Sequence, residues 1–187
     1  MVFGTGEGIM LDKKNTILLG IDSSSVSTGW AVGDLNGKLL KYGRINPIGI
    51  IEEKLLETTG ELNKVLQEWK PTFCAVEDVN CFANPKVAKL LAEFVGCIRL
   101  TCFMFNNNEM RFYPSTSLKA VMGVNPKELK KRGIVKDGVK EEVLKAVEKQ
   151  YNIKLEVSIK KYHYDVSDAI SCYTKLYTEL NNELRGQ

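Results

Sequence analysis

Four carboxylates in this sequence lie in or directly beside segments that a folded chain has to bury. They are Asp22 and Glu77, which each end a short apolar run, and Asp165 and Asp168, which open an amphipathic segment. Burying an ionised carboxylate costs several kcal/mol unless a counter-charge accompanies it. Because oxygen ligands favour hard cations such as Mg²⁺ or Mn²⁺, the set predicts a divalent metal site. A site of this kind indicates phosphoryl-transfer chemistry on nucleic acid.

The composition fits a single globular domain. The chain has 187 residues, of which 44% are hydrophobic and 26% charged, enough to bury a sizeable core. We expect a mobile, glycine-containing tail at 1–14 and one domain at 15–187. No apolar run is long enough to cross a bilayer, and no signal-peptide pattern opens the chain, so we expect a cytoplasmic protein. The five cysteines include no C-x-x-C pair, which argues against structural zinc and against a disulfide framework.

Positive charge is concentrated in the segment 119–161. This segment carries twelve Lys or Arg against six Asp or Glu, whereas the whole chain has a net charge of only +3. A polyanion-binding face beside an acidic metal site has such an asymmetry. A solvated, lysine-rich helical surface has it too, and charge alone leaves both interpretations open.

Periodicity and turn residues predict a mixed α/β order of elements. We expect strands at 16–22, 28–32 and 39–44, a helix at 50–69, a strand at 72–78, a helix at 85–105, a strand at 110–113, a short helix capped by residues 115–117, a basic loop at 130–138, and helices at 139–151 and 165–184. The first three strands should form an antiparallel meander, and the fourth should lie parallel to the first after its helical crossover.

The predicted helix at 85–105 has apolar residues around most of its circumference. One side can cover the sheet, and the other needs a second cover, for which a partner subunit is our candidate.

Five segments resemble, in order, the motifs of RuvC-type Holliday junction resolvases. They are residues 20–30 (GIDSSSVSTGW), 76–79 (VEDV) with Phe82, 113–119 (YPSTSLK), 139–143 (VKEEV) and 163–169 (HYDVSDA). The resemblance implies an RNase H-like fold, with a five-stranded mixed sheet flanked by helices. It also implies an endodeoxyribonuclease that makes paired nicks in branched DNA, leaving 5′-phosphate and 3′-hydroxyl ends.

The same resemblance implies roles for individual residues. Asp22 would bridge two Mg²⁺ or Mn²⁺ ions, Glu77 would hold one, and Asp165 with Asp168 the other. Lys119 and Lys140 would serve catalysis and DNA binding by contacting phosphates or stabilising transition-state charge. Further DNA-binding candidates are Phe82, Lys130, Lys131, Arg132 and Lys136, and His163 is a secondary candidate for positioning water or phosphate.

Assembly and partners follow from the substrate that the resemblance implies. A four-way junction has two-fold symmetry, so we expect a homodimer that presents two metal sites to opposite strands. The stretch 124–138 is longer and more basic than is typical of the bacterial members. This departure leaves docking to a branch-migration complex open and would suit a bacteriophage-borne version.

Each candidate residue also has an interpretation without chemistry. Asp22 can simply start a Ser-rich turn, Glu77 can be a solvated strand end, and Asp165 can be a helix N-cap. Phe82 can anchor a loop. At the level of function, the alternatives are an RNase H-type nuclease on RNA–DNA hybrids, a junction-binding protein without catalysis, and an actin-like or sugar-kinase phosphotransferase.

Overall fold

The computed structural model describes residues 15–79, 84–106, 110–155 and 163–186. Its strands are β1 (Ile17–Asp22), β2 (Thr28–Asp34), β3 (Leu39–Ile45), β4 (Phe73–Glu77) and β5 (Arg111–Tyr113). Its helices are α1 (Ile51–Trp69), α2 (Pro85–Asn106), α3 (Ser115–Val121), α4 (Pro126–Lys131), α5 (Lys136–Tyr151) and α6 (His163–Arg185). In this described part of the chain, no helix combines the length and the apolar character that a bilayer-spanning segment needs. The predicted tail at 1–14 lies outside the described residues.

The five strands form one mixed sheet in the order β3-β2-β1-β4-β5. The first three strands pair antiparallel, while β4 pairs parallel with both β1 and β5. Asp34 builds the tight connection between β2 and β3, since its carboxylate accepts from the backbone N–H groups of Asn36 and Lys38. Gly37 follows with a φ of +86°, a conformation that glycine adopts without strain. The predicted fold class, meander and parallel crossover are confirmed.

Two hydrophobic cores lie on opposite faces of the sheet, because successive side chains of a strand alternate between its faces. On β1, Leu19 and Ile21 point to the core shared with α1 and α2, whereas Leu18 points to the core shared with α3, α5 and α6. The molecule is therefore a three-layer sandwich with the sheet in the middle.

Helix α6 lies unusually close to the central strands. A Cβ atom on Gly20 would lie 2.3 Å from the backbone nitrogen of Tyr173, and one on Gly29 would lie 2.0 Å from the carbonyl oxygen of Asp165. Only glycine permits this approach, since real Cβ contacts are never so short. The close packing sets the first turns of α6 directly over the carboxyl end of β1.

The predicted basic loop at 130–138 is confirmed only for residues 132–135, because its two ends are helical. Residues 126–131 form α4, because Asn125 caps it by accepting from the N–H groups of Lys127 and Glu128, with Pro126 in the first turn. Leu129 is buried, which ties this short helix to the core. Helix α5 also begins earlier than predicted, at Lys136.

Candidate active site

Strand alternation brings Asp22 and Glu77 to the same face of the sheet. Ile21 is aligned with Val76 in the parallel pair, so the two carboxylates that follow end neighbouring strands. Asp22 shares its face with Leu18, which packs in the core beneath α6, and Glu77 shares that face with Ala75. The alternation also separates Glu77 from Asp78, whose side chain is exposed.

The other two carboxylates come from α6. The helix begins at His163, so Asp165 lies in its first turn rather than at the N-cap position. Asp168 follows three residues later and therefore lies on the same side of the helix as Asp165. Both are close to the helix N-terminus, where the macrodipole favours negative charge. The tight contact of α6 with Gly29 and Gly20 directs this end of the helix towards the ends of β1 and β4.

These elements enclose a cleft of about 640 Å³. All four predicted acids line it, together with two of the predicted lysines: Asp22, Glu77, Asp165, Asp168, Lys119 and Lys140. One wall is apolar and comes from α2, where Val87, Leu91 and Val95 face the cleft. The cleft thus combines charged groups with a wall that limits access of water.

The acidic side chains raise one another's pKa values. Burial raises the pKa of Asp22 well above its usual value, and the charges of Asp168, Glu77 and Asp165 raise it further. Burial followed by repulsion from Glu77 raises the pKa of Asp168 to about 7. Burial also raises the pKa of Glu77. A site whose carboxylates resist ionisation to this degree calls for a counter-charge.

Two lysines supply part of that counter-charge. Lys140 lies on α5 and lowers the pKa values of Asp22, Glu77 and Asp168, and its ammonium is 5.4 Å from the ring centroid of Tyr164. Lys119 lies on α3, donates to the Ser115 hydroxyl, and lowers the pKa values of Glu77 and Asp168. Two cations do not balance four carboxylates once all four acids are ionised.

The donor set fits a divalent cation, since it consists of carboxylate oxygens with excess negative charge. Among the residues that the structure describes, no three acidic, cysteine or histidine side chains already form a tight ligand group. A bound cation would offset the repulsion between these like charges.

Three other site candidates lie outside the cleft lining of the described residues. Lys130 and Lys131 are exposed on α4, and Arg132 is exposed just after it, outside the cleft lining. Lys136 is the first residue of α5, and His163 is the first residue of α6. Phe82 lies outside the described residues.

Sequence reasoning missed several polar residues of the cleft lining, and Ser115 is the one that contacts predicted site residues. Ser115 was expected to help cap α3, but the N-cap is Pro114 and no side-chain cap bond is formed. The Ser115 hydroxyl instead contacts Lys119 and Glu77 inside the cleft. A usable signal was present, because Ser115 and Lys119 are four residues apart and so share one face of a helix.

Comparisons with known proteins agree with this geometry. The family model described as crossover junction endodeoxyribonuclease RuvC matches residues 18–172. The RuvC protein of Aliarcobacter butzleri is 30% identical over 158 residues, which cover 82% of this chain and 93% of that relative. The RuvC protein of Rickettsia africae is 31% identical over 112 residues, covering 57% of this chain and 71% of the relative.

Solved structures share the fold. Thermus thermophilus RuvC in complex with a Holliday junction substrate superimposes with a TM-score of 0.68 at 16% identity, covering 88% of this chain and 96% of that one. The yeast mitochondrial Holliday junction resolvase superimposes with a TM-score of 0.54 at 12% identity, covering 90% of this chain and 81% of that one. At such identities these likenesses concern architecture alone, whereas the family match spans most of the sequence. This chain therefore belongs to the RuvC family of crossover junction endodeoxyribonucleases.

Proposed function

We propose that this protein resolves Holliday junctions and related branched DNA by paired, metal-dependent nicks that leave 5′-phosphate and 3′-hydroxyl ends. The observation that carries the proposal is the convergence of four carboxylates from β1, β4 and α6 in one cleft, with two lysines beside them. The relatives from Aliarcobacter and Rickettsia are named for this activity, and the Thermus relative has been seen with a junction.

Membership of the family implies a divalent metal requirement. We further propose two Mg²⁺ ions per site, with Mn²⁺ as a substitute. Asp22 interacts electrostatically with Glu77 of β4 and with Asp165 and Asp168 of α6. These four carboxylates would hold the ions. A metal pair of this kind supplies an activated water and stabilises the leaving oxygen during in-line displacement at phosphorus.

The protein's own groups have separate tasks in this mechanism. The carboxylates hold negative charge in place before DNA arrives. Lys119 and Lys140 lie among them and can pair with the phosphate that enters the cleft, where they oppose the charge that develops at phosphorus. The apolar wall from α2 restricts water, which strengthens each of these interactions.

Substrate choice tests the proposal directly. End-labelled four-way junction, linear duplex and RNA–DNA hybrid of matched sequence are incubated with the protein and Mg²⁺. We expect rapid nicking of the junction and weak nicking of the duplex. Cleavage of the hybrid alone would assign the protein to the RNase H-type alternative, and binding of the junction without cleavage would assign it to the non-catalytic one.

We propose that three exposed basic residues at the end of α4, outside the cleft lining, contact the DNA arms. We call Lys130, Lys131 and Arg132 the basic rim. Changing all three to Gln should weaken binding to junction and duplex alike, because phosphate contacts carry no sequence information. We also expect the slope of log affinity against log salt to fall by about 0.9 for each phosphate contact removed. Fluorescence anisotropy at several salt concentrations measures both effects.

A matched control removes the same charge elsewhere. Lys38, Lys41 and Lys64 are exposed on the β2–β3 turn, β3 and α1, away from the cleft lining. Their triple Gln variant should bind with the normal salt slope. An equal loss in both triple variants would mean that net charge, rather than the basic rim, determines affinity.

We propose that the protein forms a homodimer through the outer face of α1 and α2. Four apolar side chains on this face are at least half exposed: Leu56 (75%), Met104 (77%), Leu100 (58%) and Phe103 (50%). Leu56 and Met104 line a groove between the two helices. Apolar side chains grouped in this way on one surface favour association, and a two-fold axis would match the symmetry of a junction.

Charge placed on that face should separate the subunits. We expect the double variant Leu56→Glu, Met104→Glu to sediment as a monomer under conditions in which the unchanged protein sediments as a dimer, since burying two carboxylates opposes association. Val135→Glu alters an equally exposed side chain (75%) next to α5 and should leave the dimer intact. A monomeric unchanged protein would contradict the proposal.

Two further points belong to this proposal. We place the protein in the cytoplasm, where its DNA substrate would be found. The phosphotransferase alternative is disfavoured by the family match.

A further inference from the structure

The pairing of β4 with β5 brings Glu77 and Ser115, which are far apart in sequence, together in the cleft. Glu77 ends β4 and is aligned with Tyr113 on β5, and the N–H of Asp78 donates to the carbonyl of Tyr113 at 2.8 Å. The chain turns at Pro114 directly into α3, so Ser115 emerges beside Glu77. Both side chains line the cleft.

The hydrogen bonds of Ser115 have one consistent direction. Lys119 lies one helical turn further along α3, and its ammonium donates to the Ser115 hydroxyl oxygen. An ammonium group has no acceptor, so the hydroxyl proton of Ser115 remains to be donated elsewhere. Glu77 is the neighbouring acceptor, since both side chains line the cleft and hydrogen bonding from Ser115 lowers the pKa of Glu77. The chain of donation runs from Lys119 through Ser115 to Glu77.

We propose that Ser115 is a positioning residue that fixes the orientation of the Glu77 carboxylate and holds the Lys119 ammonium beside it. Only one Glu77 oxygen then accepts from Ser115, which leaves the other to face the cleft. A carboxylate on a flexible Glu side chain loses rotamer freedom when it binds a cation, and a hydrogen bond made in advance reduces that loss. This inference rests on the proposed metal-dependent nuclease, because it assigns Glu77 as a ligand.

The neighbouring Ser117 provides a matched control. It lies two residues away in the same helix, and its hydroxyl donates to the carbonyl of Pro114 at 2.8 Å. Ser117 does not line the cleft. Ser115→Ala and Ser117→Ala therefore remove the same atom from the same helix, but only the first should affect the metal site.

Metal binding without DNA is the primary measurement. Titration of Mn²⁺ followed by calorimetry should show affinity weakened by about 10-fold to 100-fold in Ser115→Ala, the usual effect of losing a residue that orients a ligand. Ser117→Ala should bind as the unchanged protein does. Ser115→Thr keeps the hydroxyl and should restore binding, whereas Ser115→Val, which has nearly the same size, should not. Unchanged melting temperatures would show that all four variants fold.

Nicking of a four-way junction gives the second readout. In Ser115→Ala the Mg²⁺ concentration for half-maximal rate should rise and kcat should fall, with KM for the junction unchanged. Equal Mn²⁺ affinity in Ser115→Ala and Ser117→Ala, or in the Thr and Val variants, would overturn the role of Ser115. If the unchanged protein binds Mn²⁺ but nicks no junction, the proposed function fails, and the Mn²⁺ comparison among variants still decides the role of Ser115.

Discussion

Asp22→Asn should abolish nicking of a four-way junction, with a rate loss of about 10³-fold or more, comparable with losing a central electrostatic group of an active site. Asp22 interacts electrostatically with Glu77, Asp165 and Asp168, so its loss affects the whole group of proposed ligands. Binding of the junction should persist, because the lysines and the basic rim remain. A gel-shift titration beside the nicking assay separates the two effects.

The same substitution should stabilise the protein when no metal is added. Asp22 is partly buried next to three like charges, and burial raises its pKa well above the usual value, so the ionised form opposes folding. Removing that charge at pH 8 should raise the melting temperature of the metal-free protein. Added Mg²⁺ should then stabilise the unchanged protein more than the variant.

Asp78→Asn is the matched control for this experiment. Asp78 also lines the cleft, but its side chain is exposed and accepts from the backbone N–H of Val79, a bond that Asn can keep. It should nick at a normal rate and melt at a normal temperature. Loss of nicking in Asp78→Asn with normal nicking in Asp22→Asn would contradict the assignment of the site.

Stability and metal binding should depend on pH in opposite directions, and Asp168 is one cause. Its folded-state pKa of about 7 lies above the value of 3.8 for a free carboxyl. Between about pH 4 and 7 the Asp168 carboxyl is therefore protonated in the native state but ionised in the unfolded state. The free energy of unfolding of the metal-free protein falls as the pH rises through that window. From pH 5.5 to 7 the loss due to this group should be about 2 kcal/mol, and the slope should flatten above pH 7.

Metal binding should follow the reverse course, since protons compete with the cation for the same carboxylate. The rise in melting temperature caused by Mg²⁺ should be small at pH 5.5 and large at pH 8. Thermal melts of the unchanged protein and of Asp168→Asn, with and without Mg²⁺, measure both trends. In Asp168→Asn the metal-free stability should vary less with pH. An identical pH profile in the two proteins would show that Asp168 does not titrate in this range.

The sheet and the acidic site could be predicted because their signals are local. The apolar runs that end in Asp22 and Glu77, and the turn chemistry at Asp34 and Gly37, fix strands and their direction without reference to the rest of the chain. Strand alternation then places both acids on one face, and the short spacing from Asp165 to Asp168 places the last pair on one helix side. Each of these steps uses only the period of the element concerned.

The parts that could not be predicted depend on contacts between distant residues. Helix α4 has only six residues, too few for a periodic signal, and it is held by the Asn125 cap and burial of Leu129. The contact of Ser115 with Glu77 requires the pairing of β4 with β5, which brings together residues far apart in sequence. The glycines that let α6 approach β1 and β2 look like ordinary strand residues until the helix is in place.

Mapping and sealing of junction products tests the central claim most directly. A junction with a mobile core is labelled on each strand in turn, incubated with Mg²⁺ and the unchanged protein, and the products are treated with DNA ligase. We predict nicks at symmetric positions in two opposite strands, each sealed by ligase because it carries a 5′-phosphate and a 3′-hydroxyl, and none with Asp22→Asn. Unpaired nicks that ligase cannot seal, or nicks that persist in Asp22→Asn, would contradict the assignment of this cleft as a metal-dependent junction-resolving site.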